Sequence, residues 1–244
     1  MATIRTPAEP RQAIALHHLP THGQSAFYLA FLIFSPIINL TLNTFLFEDF
    51  RRNSANGAQS LPSPEGVLQL SGILIGSLLF LVGLNIILLI LQHRRRIRHA
   101  LFLFGLFSSL YLISNLISIA YGIFAYKIQS LFLLTISLGV YISINIVFLF
   151  WYWYVDYPGQ VRHLHHPESA LQITFPTSGP SAKEAWLPSF IDYLYLAIMV
   201  SNTLGPPENH STFGAKAKLI QIIHSVIMLM LFVIFISRAI NTLA

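Results

Sequence analysis

Residues 67–99 read VLQLSGILIGSLLFLVGLNIILLILQHRRRIRH. From Val67 to Leu91 no side chain carries a charge, and Arg94, Arg95, Arg96 and Arg98 follow at once. A helix needs about 20 apolar residues to cross the hydrocarbon of a bilayer, and this run supplies them. In lipid every backbone N–H and C=O must be satisfied within the protein, which leaves helices or closed barrels. The run has no period-two alternation, so a barrel strand is excluded and a spanning helix is expected. Arginines in a short turn between two spans belong on the cytoplasmic side.

The same reading extends outward. Phe27–Phe47, Leu101–Phe124, Ser130–Trp153 and Ala215–Ile240 are further runs of spanning length, and Phe190–Leu204 is a shorter one. Of the 244 residues, 55% are hydrophobic and 9% charged, against roughly 25% charged in a soluble domain. The expected fold is an all-α integral membrane bundle of five transmembrane helices plus a short pore-helix-like segment. If Phe190–Leu204 crosses fully, it has six transmembrane helices. Four regions follow: a polar tail, 1–26; a four-helix region, 27–154; a polar loop rich in Pro and His, 155–188; and a C-terminal part, 189–244.

The first apolar run is too long for a signal core and has no small-residue cleavage site behind it, so it reads as a retained span. The net charge of +5 lies in short connections, where it orients spans and builds no nucleic-acid patch. With no cysteine, disulfides and thiolate chemistry are excluded. Arg5 and Arg11 agree with a cytoplasmic N-terminus.

Polar and small residues within spans should meet other helices. This applies to Asn39, Thr41, Asn43 and Thr44, close to Pro36 in the first span. It applies also to the Gly72–Gly76 pair with Gly83 in the second, and to Ser114, Ser118 and Gly122 in the third. The fourth span ends in Phe150-Trp151-Tyr152-Trp153-Tyr154, which reads as an aromatic belt at the headgroup level. Val155–Pro188 is expected to break helix at Pro158, Gly159, Pro167, Pro176, Gly179 and Pro180, with a short strand near Leu171–Phe175.

Chemistry is sparse. His163, His165 and His166, with Asp156 and Glu168 nearby, carry metal-ligating groups, but a flexible loop does not impose a coordination geometry. They are weak candidates, and no cofactor is implied. Intramembrane hydrolysis needs a diacid, a Ser/His pair with its oxyanion donors, or a metal. Asp192 is the one acid read beside a span, and His224 has no second base, so no enzyme is expected.

The segment Pro188–Lys218 has the outline of a pore loop. Ser189 can cap a helix start, with Asp192 in its first turn. Gly205-Pro206-Pro207 must end that helix, and a full span follows. Asn202-Thr203-Leu204-Gly205-Pro206-Pro207-Glu208 resembles the T-T-V-G-Y-G-D filter of potassium channels, with Phe213-Gly214 resembling the start of their inner helix. The C-terminal two-fifths is similar to small bacterial multi-span proteins of unknown function related to two-pore-domain potassium channels. The matching elements are Phe175-Pro176, Asp192-Tyr193-Leu194-Tyr195-Leu196-Ala197 and Arg238-Ala239-Ile240-Asn241.

The resemblance implies a multi-pass protein of the bacterial cytoplasmic membrane and a homo-oligomer. It implies a monovalent cation passing near Asn202, Thr203, Leu204, Gly205, Pro206, Pro207 and Glu208, with Asp192 and His224 in support. It does not imply potassium selectivity. Pro206 and Pro207 stand where the pattern has Tyr and Gly, and proline cannot take the alternating backbone such a filter needs. The alternative is a non-conducting membrane scaffold or accessory subunit. The basic residues divide similarly for five and for six spans, so charge leaves the topology open.

Overall fold

A computed structural model describes residues 21–55, 65–125, 130–176 and 186–243. Arg5 and Arg11 of the polar tail, and Gly179 and Pro180 of the polar loop, lie outside the described residues. The elements are α1 (His22–Ala55), α2 (Glu65–Ile90), α3 (Arg94–Ala125), α4 (Ser130–His165), β1 (Ile173–Thr174), α5 (Phe190–Thr203), β2 (Ser211–Thr212) and α6 (Ala215–Leu243). Five of the helices, all but α5, are long and apolar enough to cross a membrane. The chain is an all-α multi-span membrane protein. At about 1.5 Å per residue, the 14 residues of α5 reach about 21 Å, short of a hydrocarbon core of about 30 Å.

Helix α4 is the hub, packed by α1, α3, α5 and α6, while α2 lies on α3. These four neighbours run antiparallel to α4, so one end of the bundle collects several termini. There Gln24 of α1 donates to the Tyr157 hydroxyl at 2.7 Å, and Tyr28 stacks on Trp153 at 4.0 Å. The Arg98 guanidinium of α3 lies over the Tyr154 ring, whose hydroxyl donates to the Arg98 carbonyl. The arginine turn, the start of α1 and the end of α4 therefore share that end.

Inside the bundle a polar seam joins α1, α3 and α4. Ser35 and Ser143 hydroxyls lie 2.7 Å apart, the Asn39 amide donates to Ser143, and the Asn115 amide donates to the Asn39 carbonyl. Such bonds fix helix register where no hydrophobic gradient exists. Asn43 similarly reaches the Tyr111 hydroxyl. Thr41 and Thr44 do not face a partner helix as expected. Both are exposed and donate to the carbonyls of Ile37 and Leu40, the four-residue back-bond that satisfies a hydroxyl within its own helix.

Three further expectations need correction. Helix α1 continues to Ala55, beyond the apolar run that ends at Phe47, and α4 continues through Pro158 and Gly159 to His165. An interior proline costs roughly 3 kcal/mol. Here the buried Asp156, Tyr157 and Gln160 contacts on both sides of it hold the helix. The second-span glycines do not pack against another described residue: a Cβ at Gly72, Gly76 or Gly83 would meet nothing within 4 Å among them. The close approaches fall instead at Gly105, against Phe150, and Gly139, against Leu42. The aromatic run is a surface belt only in part, at the half-buried Trp151 and Tyr154. Phe150, Tyr152 and Trp153 are buried, because α4 is surrounded on several sides. The short strand expected at 171–175 is present as β1, paired antiparallel with β2.

Candidate functional site

The C-terminal hairpin, residues 173–176 and 186–225, is built on one face of α4. Its helix starts where Pro188 and Ser189 end an extended approach. The Asp192 carboxylate accepts from the Ser189 N–H and hydroxyl, both at 2.7 Å. That is a capping role, and its charge suits the positive end of the helix dipole. Phe190 is held edge-on by Phe27 and Phe31 of α1.

From there α5 descends antiparallel along α4. Tyr193 bonds Asp156 at 2.8 Å, Ser201 bonds Asn145 at 3.0 Å, and Asn202 accepts from Tyr141 at 3.1 Å. Leu204 then takes a left-handed conformation, φ 55°, as the C-cap, and Gly205-Pro206-Pro207 prevents continuation. The chain returns. The His210 ring meets Phe175 and Tyr195, and Ser211–Thr212 pairs with Ile173–Thr174. Phe213 and Gly214 N–H groups both donate to the Gln172 carbonyl. Entry and return thus lie at the same end of the bundle. Helix α6 then runs inward beside α5, where Ser225 donates to the Leu204 carbonyl at 3.1 Å.

Asp156 is the latch of this hairpin, a role the sequence did not show, where it stands only as an acid near the loop histidines. It is fully buried and accepts from the Ile173 N–H at 2.9 Å, the Gln160 amide at 3.0 Å and the Tyr193 hydroxyl at 2.8 Å. Gln160 also donates to the Ile173 carbonyl at 2.7 Å. One carboxylate therefore ties α4, β1 and α5 together. The signal was present as an acid and an amide four residues apart, one helical turn, but Pro158-Gly159 between them reads as a break.

His224 is buried beneath the hairpin, stacked on Phe148 at 4.1 Å. Its Nδ1 lies 3.2 Å from the Tyr152 hydroxyl and its Nε2 2.9 Å from Ser201 Oγ. One proton assignment satisfies the whole chain. Tyr152 donates to Nδ1, Nε2–H donates to Ser201, and Ser201 donates to Asn145.

The other candidates separate. At the hairpin tip Asn202, Thr203, Leu204, Pro206 and Glu208 are exposed, while Pro207 is buried. Four tip carbonyls are engaged. Leu204 accepts from Ser225, Gly205 from Thr203, and Pro207 and Glu208 from His210. His163 Nδ1 lies 2.8 Å from the Ser169 carbonyl, and His165 and His166 point outward. Among the described residues, no three His, Cys, Asp or Glu gather to hold a metal.

Compared with known proteins, the chain matches no family model, no curated protein and no solved structure.

Proposed function

We propose that the chain is a channel-like subunit of the bacterial cytoplasmic membrane, with five spans, and assembles as a homo-oligomer around its C-terminal hairpin. The pairing of β1 with β2 carries this reading, because it returns the chain to the end at which α5 began. A short helix in, an extended return and a long following helix make a re-entrant loop. Irregular backbone at membrane depth is tolerated where it is buried in protein or lines water. The arginine turn lies at the same end, so the loop enters from the cytoplasmic face.

In this account a monovalent cation passes the tip through side chains. The Asn202 amide, the Thr203 hydroxyl and the Glu208 carboxylate supply oxygens, and the engaged carbonyls of 204, 205, 207 and 208 supply direction to the turn. Asp192 and His224 are supports, holding the start and the underside of α5. No catalytic step is part of this function.

Purified protein in liposomes should pass potassium or sodium under an applied potential. Glu208→Gln should reduce the flux about fivefold, since one partly solvated charge near the path is worth about 1 kcal/mol. Absence of flux across several cations and voltages would defeat the proposal. The engaged carbonyls favour the second reading, a non-conducting scaffold or accessory subunit. A stable heteromeric partner recovered in mild detergent, with no flux, would establish that one.

A further inference from the structure

We propose that the cleft between α3, α4 and α6 binds one anionic phospholipid, an acyl chain lying along the cleft and the headgroup phosphate meeting Lys216. This requires neither conduction nor re-entry.

The cleft has a volume of about 400 Å³ and a wall that includes Leu110, Ile113, Phe148, Trp151, Ile220 and Ile223. A water-sized group takes roughly 30 Å³, so the space admits on the order of a dozen methylenes, one acyl chain. Its length fits as well. Along α6 the lining runs from Lys216 to Ile227, about 17 Å at 1.5 Å per residue. One leaflet of a hydrocarbon core of about 30 Å is roughly 15 Å thick. The two neutral polar groups that could interrupt the wall are both satisfied: the Trp151 indole N–H donates to the Ser109 hydroxyl at 2.9 Å, and that hydroxyl donates to the Gly105 carbonyl at 2.8 Å. The cleft therefore stays apolar along its depth.

Charge selects the lipid. Lys216 is the one charged residue on the cleft wall. It is exposed, and it stands at the start of α6, the end of the bundle that carries the arginine turn. Of the cations at this end, Arg98 lies over the Tyr154 ring and Lys216 borders the cleft. A chain-length cleft with a cation at its mouth complements an anionic phospholipid and offers a zwitterionic one no equal advantage.

Trp151 reports on the cleft directly. The full chain is reconstituted in phosphatidylcholine bilayers containing a small fraction of either brominated phosphatidylglycerol or brominated phosphatidylcholine. The fluorescence lost on Trp151→Phe isolates the Trp151 signal from Trp153 and Trp186. Brominated phosphatidylglycerol should quench that signal about fivefold more effectively at equal mole fraction, the effect of one interfacial lysine. Lys216→Gln should bring the two lipids level. Equal quenching in the parent, or an undiminished preference in Lys216→Gln, would overturn the proposal. Absence of quenching by either lipid, with cysteines at Ile223 cross-linking between copies, would put a second copy in the cleft and overturn it too.

Discussion

Asp156→Ala is expected to release the C-terminal hairpin from the bundle. The substitution removes the acceptor of three donors at once: the Ile173 N–H, the Gln160 amide and the Tyr193 hydroxyl. A buried donor left without a partner costs about 1–3 kcal/mol, so the loss is on the order of 3–5 kcal/mol. It falls on the junction of α4, β1 and α5, while the contacts of α1, α2 and α3 remain. The expected result is a lower thermal midpoint in detergent together with new protease cleavage between Ser189 and Gly214. Asp156→Asn retains the shape and one acceptor oxygen, and should lose less than half as much. An alanine variant as stable and as protected as the parent would remove Asp156 from the account.

Gly105→Ala should weaken the seam between α3 and α4. A Cβ there would overlap the edge of the Phe150 ring, closer than real Cβ contacts come. The ring has little freedom to yield, since Trp151, Trp153 and Tyr154 surround it. Overpacking of this kind costs about 1–3 kcal/mol, or several degrees in thermal midpoint. Gly105→Leu should prevent the helices from closing. Phe150→Leu combined with Gly105→Ala should recover part of the loss, because contacting sites are not additive. An alanine variant that melts with the parent would mean that the two helices stand further apart than described.

These residues also show what a single sequence can convey. The spans were legible because each apolar run exceeds the length a bilayer demands. Which face of a span packs was not. Gly72 and Gly76 carry the spacing of a packing motif yet meet nothing among the described residues, while Gly105, with no such motif, meets Phe150. Close approach depends on the neighbour, and spacing describes only one helix. Thr41 and Thr44 misled for a related reason, since a hydroxyl can be satisfied by its own backbone.

The candidate site was half legible. Ser189, Asp192 and Gly205-Pro206-Pro207 mark the start and stop of α5 by local chemistry alone. The return of the chain rests on β2, whose two residues are too few to show a strand pattern. The latch rests on Asp156, concealed because Pro158-Gly159 argues locally for a break that the surrounding contacts override.

Re-entry of 190–210 is the central claim, and sidedness tests it most directly. Single cysteines replace Glu168 and Ser211 in this cysteine-free chain, and an impermeant thiol reagent is applied to sealed, oriented vesicles. A cysteine in the connection between α3 and α4 marks the other face. Both test positions should label from one side, the reference from the opposite side. Labelling of Glu168→Cys and Ser211→Cys from opposite faces would make α5 a sixth crossing and contradict the account.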